Sequence, residues 1–173
     1  MNAYQLKFDE INSLKFSNMS RDEIEDEFID FMAEGYYLAI HDLEDMLHKK
    51  VEAELDEIED ILWLEIDGKN FSDRIDDHLA AEDYGGLMTL AESEFHRVYN
   101  TGMFDAAKRS GATEKIWQTM EDNRVRVTHE FLQSVAVPLD EMFYTLDGDS
   151  AYYPGGFEKA ENNVACRCWL TYR

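Results

Sequence analysis

Two cysteines and two prolines in 173 residues leave little to staple this chain and little to break it. The cysteines, Cys166 and Cys168, are separated by one residue, a spacing that disfavours an ordinary disulfide between them. Reduced thiols or metal ligands are the better readings. Both prolines fall after residue 137, so nothing of that kind interrupts the first three quarters of the chain. No apolar run reaches transmembrane length, and the opening Met1-Asn2-Ala3-Tyr4 lacks the apolar core of a signal peptide. The expectation is a protein made and kept in the cytoplasm, with no membrane partner. Positive charge is also scarce: 16 Lys and Arg stand against 38 Asp and Glu, for a net charge of −22. Of those acids, 27 lie in the first hundred residues. Such a field repels phosphate backbones, so direct nucleic-acid binding through the acidic surface is not expected. A basic protein partner, or simply high solubility, fits better.

What is present is globular. A hydrophobic share of 45% with 13% aromatics rules out a disordered chain. The length suits one ordinary domain, or a small domain with a helical extension. Leu6, Phe8, Ile11, Leu14 and Phe16 fit neither helical nor strand period well and read as an arm or short helix that packs onto something. Ser20 and Glu23 then form a capping box. Apolar residues follow at three- and four-residue steps: Ile24, Phe28, Met32, Tyr36, Ala39, Leu43, Met46, Val51, Leu55, Ile58 and Ile61. They predict one long amphipathic helix or two antiparallel ones, with Gly35 or Lys49-Lys50 as breaks. Residues 67–70 read as a turn, Ser72 as the cap of a short helix, and Tyr84-Gly85-Gly86 as its break. Residues 87–109 are a strong helix stopped at Gly111, with Lys108 and Arg109 in its last turn.

The texture then changes. Residues 115–120 read as a strand, Asp122 as the cap of a helix over 124–132, and residues 135–139 and 142–146 as short strands. Turns fall at Gly148 and at Pro154-Gly155-Gly156. Residues 165–172 alternate and read as a closing strand, which would set both thiols on one face. With His129 and Asp122 they make a four-ligand set of the kind that zinc accepts. The bland alternative is two small buried cysteines and a helical histidine bonded to backbone. Arg124, Arg126 and His129 beside Asp122 suit phosphate binding or acid–base chemistry, or else an ion-pair network that knits helix to sheet. No carboxylate dyad, nucleophile–base pair or glycine-rich phosphate loop stands out. His41 and His48, seven apart on an acidic helix, are read as ordinary exposed histidines.

One ordered string of residues carries a resemblance. Trp117, Thr119, Asp122, Arg124-Val125-Arg126 and Thr128-His129 are followed by Val137-Pro138-Leu139-Asp140 and Phe143. Tyr153-Pro154-Gly155-Gly156 and Asn162-Asn163-Val164 come next, with Cys166-Arg167-Cys168 last. This resembles the phage Mu F-like head morphogenesis, or minor capsid, family over residues 87–173, where Glu94, Arg97 and Asn100 also match. The resemblance implies a low-copy phage or prophage head protein, in the host cytoplasm during assembly and then in the virion. It implies contact with the portal or the major capsid protein, with self-association open, and a structural role without catalysis. Trp117, Asp122, Arg124, Arg126, His129, Asn163, Cys166 and Cys168 become its structural motif. Some relatives carry cysteines where Arg126 and His129 stand, which implies that positions 126, 129, 166 and 168 cluster. Arg126 cannot ligate a metal, so a full zinc site here would draw on Asp122 or another residue. The alternative function is a phage-derived enzyme or toxin-like domain acting on a phosphate or nucleotide.

The expected fold class is α+β: long acidic N-terminal helices over residues 1–86, a region for partner docking, followed by a small mixed α/β domain over residues 87–173.

Overall fold

The computed structural model describes residues 3–51 and 57–173. Chain order is α1 (Ala3–Ile11), a short 3-10 turn (Phe16–Asn18), α2 (Arg21–Leu47), α3 (Glu57–Leu62), α4 (Phe71–Ala80) and α5 (Tyr84–Ser110). There follow β1 (Glu114–Gln118), α6 (Val127–Glu130), β2 (Ala136–Pro138), β3 (Phe143–Tyr144), β4 (Ser150–Ala151), α7 (Ala160–Asn163) and β5 (Trp169–Tyr172). The class is α+β, with long helices first and small sheets last.

The capping box at Ser20 forms: its hydroxyl accepts from the Glu23 amide while the Glu23 carboxylate takes the Ser20 amide at 2.7 Å. The apolar stripe then runs unbroken to Leu47, and the helix closes on His48 in the left-handed conformation. Of the two breaks foreseen, the one before Lys49-Lys50 is used and Gly35 lies inside the helix. Leu55, at the far end of the stripe, is outside the described residues. The N-terminal arm is a helix. Its Ile11 is buried, and the Tyr4 ring packs edge-on to Phe95 at 5.3 Å and Tyr99 at 4.8 Å.

Two start signals differ from expectation. Asn70, not Ser72, caps α4, because its side chain takes the Asp73 amide and Asp73 returns to the Asn70 amide. The break between α4 and α5 falls at residues 81–83. Asp83 caps α5 by accepting from the Gly86 amide, so Tyr84-Gly85-Gly86 is the first turn of a 27-residue helix. That helix stops at Gly111, as its sequence predicts.

Helices α2 and α5 form the main wall, and they run in the same direction. Contacts climb together along both: Gly35 meets Phe95, Ala39 meets Gly102, Asp42 accepts from Tyr99 Oη, and Lys49 Nζ donates to the Ser110 carbonyl. The axes come close because of the glycines. A Cβ on Gly102 would stand 2.9 Å from the Ala39 Cβ, and one on Gly35 would stand 2.9 Å from the Phe95 ring. The segment carrying α3 and α4 makes the crossover that a parallel pair requires.

The three-stranded sheet has the antiparallel order β2-β1-β5, with Ile116 opposite Ala136 on one side and Thr171 on the other. β3 and β4 form a separate hairpin. The pleat of β1 points Lys115 and Trp117 inward. One buried cluster runs from Ile11 and Phe28 through Phe95 to Trp117 and Tyr172, so the helices and the sheets share a core.

Candidate functional site

Trp117 is the centre of the C-terminal part. It is fully buried, with Phe143 at 5.0 Å, Phe157 at 5.8 Å and His129 at 5.8 Å between ring centroids. Phe157 also stacks on the His129 imidazole at 5.3 Å. These rings fix the plane of the histidine. Its Nδ1 then faces two sulfurs, Cys166 Sγ at 3.8 Å and Cys168 Sγ at 3.7 Å. All three residues are buried, and the three donor atoms lie within 4.8 Å of one another.

The expected closing strand is shorter than its alternation suggests. β5 begins at Trp169, and Cys166 and Cys168 lie in the irregular stretch before it. Ala165, left-handed at φ 52°, turns the chain after α7. The thiols still point the same way, toward α6. The expected helix over 124–132 is likewise one turn, Val127–Glu130, preceded by a turn in which Asp122 Oδ1 accepts from the Arg124 amide at 3.0 Å. Asp122 therefore organises a turn, and Arg126 occupies the helix-start position.

The two thiols are perturbed in opposite directions. The Cys168 thiol hydrogen-bonded to Cys166 holds the Cys166 thiol well below its ordinary range, against burial, and His129 and His96 act in the same sense. Cys168 is pushed up, first by that same partner and then by burial. The Trp117 indole lies beside Cys168 and favours its thiolate form. His96 is the member of this neighbourhood that the sequence reading missed. It joins Tyr4 Oη at 2.7 Å and Asn100 Nδ2 at 3.1 Å, and its only signal was its place between Glu94, Arg97 and Asn100.

The charged residues of the motif have structural partners. Arg167 grips Asp122 with two hydrogen bonds of 2.9 and 2.7 Å, and this pairing holds the Asp122 carboxyl below the usual range. Asp122 is thus paired at the rim, and the group of donors brought together is His129, Cys166 and Cys168. Arg126 donates to the Val164 carbonyl. Arg124 is exposed.

A second polar knot closes the loop before α7. Asp149 is buried and accepts from the amides of Ser150 at 2.9 Å and Lys159 at 3.1 Å, and from Asn162 Nδ2 at 2.9 Å. Asn163 accepts from the Phe157 amide at 3.0 Å and donates to the Phe157 carbonyl at 2.6 Å. These bonds place Phe157 on His129.

Two openings border the cluster. A small one is lined by His129, Cys166 and Cys168 with Arg124, Arg126 and Arg167 around it. A larger cavity of about 540 Å³ lies between the helices and the C-terminal part, with Tyr4, His96, Tyr99, Cys166 and Trp169 in its wall. Among the described residues, no helix is long and apolar enough to cross a membrane.

No curated protein and no solved structure matches this chain. A family does. The buried tryptophan, the histidine held against two thiols and the asparagine that clasps the last loop all lie within residues 55–171, the stretch matched by the family described as Phage Mu protein F like protein, and the chain belongs to that family.

Proposed function

We propose that this chain is a minor head protein that docks on the portal or the capsid shell during head assembly, in the host cytoplasm, and stays with the virion. Family membership over residues 55–171 carries the reading. It makes this a phage head-morphogenesis protein, and the portal or shell is the partner that such a role calls for.

Support for the docking mode comes from α2. Its outer face exposes Glu23, Glu27, Asp30 and Glu34 in steps of three and four, with Asp22 and Asp26 beside them. This ribbon suits a basic protein surface, since opposite potentials steer encounter and fix orientation. The C-terminal part acts as a rigid body that holds α5, and through it α2, in one orientation. The role is mechanical, not catalytic. Of the residues suited to phosphate chemistry, Asp122 is held by Arg167, Arg126 donates to the Val164 carbonyl and His129 faces the two thiols, while Arg124 is exposed.

Charge reversal tests the docking mode. Glu27→Lys with Asp30→Lys alters exposed side chains only. The variant is expected to keep the wild-type Tm and to be lost from purified heads. Incorporation at wild-type levels in the doubly reversed variant rules out this face.

A further inference from the structure

We propose that His129 Nδ1, Cys166 Sγ and Cys168 Sγ bind one zinc ion, with a solvent molecule as fourth ligand entering from the opening that these residues line. Zinc binding at these residues does not depend on head docking.

Geometry comes first. A tetrahedral zinc with Zn–N of about 2.0 Å and Zn–S of about 2.3 Å places nitrogen and sulfur about 3.5 Å apart. The observed separations are 3.8 and 3.7 Å. The two nitrogen–sulfur separations are within a few tenths of an ångström of the tetrahedral value, all three donor atoms lie within 4.8 Å of one another, and they already converge from two separate parts of the chain.

The chemistry of the donor set agrees. Two thiolates and an imidazole suit a borderline-soft cation and not magnesium or calcium, which take oxygen ligands. Two thiolates neutralise the 2+ charge, so no net charge is buried. On binding, the thiol protons leave to solvent and the imidazole coordinates as the neutral base. A single Nδ1 faces both sulfurs. A shared cation engages all three atoms.

Positioning is already built. Phe157 and Trp117 clamp the imidazole, and Asn163 holds Phe157. Asp122 is not a ligand here, because Arg167 holds both its oxygens. The ion would tie α6 to the segment after α7, two pieces that share no strand pairing.

The full chain, purified under reducing conditions without chelator and then equilibrated with zinc, is assayed by elemental mass spectrometry. Wild type is expected to hold about one zinc per chain, and Cys166→Ser with Cys168→Ser, and separately His129→Gln, to lose it. Asp122→Asn is expected to keep it. Chelation should lower the Tm of wild type and leave that of the double-serine variant unchanged. Should the ligand variants fail to fold, cobalt(II) added to wild type decides the matter. A thiolate-to-cobalt charge-transfer band supports the site, and its absence overturns it. Folded wild type that takes up no zinc, zinc retained without the two thiols, or zinc lost from Asp122→Asn also overturns it.

Discussion

Arg97 Nη2 lies 2.8 Å from Glu94 Oε2, one turn back on the same helix, and both side chains are buried. Arg74 reaches the other Glu94 oxygen at 2.8 Å, and Arg97 Nη1 donates to the Ile61 carbonyl at 2.7 Å. One buried carboxylate thus joins α3, α4 and α5. Burial alone would push the Glu94 carboxyl up, but the guanidiniums of Arg97 and Arg74 together outweigh it and hold the group below its ordinary range. Glu94→Gln leaves buried positive charge without its counter-ion and is expected to cost about 3–5 kcal/mol in chemical denaturation. The sign with pH follows from the depressed value. The contribution is present above the ordinary carboxyl range and is lost as pH falls through it and below. Wild type and variant should converge in acid.

Lys115 is the opposite case. It is buried on β1 and its ammonium sits over the rings of Phe104 at 4.6 Å, Tyr152 at 4.8 Å and Phe143 at 5.4 Å. It makes no hydrogen bond among the described residues. Burial pulls its pKa from 10.5 down to about 8, with Lys108 adding to the shift and Asp140 opposing it. Below about 8 the folded and unfolded chains both carry the proton, and the cost of a buried cation is fully present. Between that value and 10.5 the unfolded chain binds more protons, so stability rises with pH. Lys115→Met keeps the volume and removes the charge. It is expected to match or exceed wild type at neutral pH, and wild type should gain on it as the solution is made alkaline. Thermal melts of both proteins across this range check the sign.

Asn163 spends its whole amide inside the protein, on Phe157 N and O and on the Lys159 carbonyl at 3.1 Å. Asn163→Leu strips those backbone groups of partners, for an expected loss of about 3 kcal/mol. Because Phe157 would loosen, the His129 ring should lose its fixed orientation. Broadened or shifted imidazole NMR signals would report this. An unchanged His129 spectrum would mean that Asn163 acts only locally.

The Asp122–Arg167 pair is at the rim and partly exposed. Asp122→Ala is expected to leave stability close to that of wild type, despite the motif's emphasis on this residue. A clear loss in denaturant titration would mean that the turn before α6 depends on it.

These cases show which parts of the fold can be read from residues. Helices α2 and α5 are legible because caps and a long stripe agree: Ser20 with Glu23, and Gly111 after the last periodic residue. β3 and α6 fall inside the strand expected at 142–146 and the helix expected over 124–132 but are far shorter, and β4 and α7 were not foreseen, because elements of two to four residues carry no readable period. Hydrogen bonds accepted by Asp149 and made by Asn162 and Asn163 close the loop between β4 and α7, and side-chain-to-backbone bonds of this kind leave no periodic trace in the sequence. The alternation over 165–172 suggested one strand, yet Ala165 is left-handed and Cys166 and Cys168 lie in an irregular stretch, so the strand begins only at Trp169. The convergence of His129, Cys166 and Cys168 was legible from residue type and spacing. That Asp122 goes to Arg167 was not, because two neighbouring arginines in sequence, Arg124 and Arg126, offered equal claims.

The head-assembly account is tested most directly by native mass spectrometry of this chain co-expressed with the portal-like protein of its own genome. The account predicts a portal ring carrying a fixed number of copies of the chain, which dissociates as salt screens the acidic face of α2. A bare portal ring beside a folded, unbound chain would contradict the portal arm of the account and leave the capsid shell as its remaining partner. A chain that binds neither portal nor shell would contradict the docking role itself.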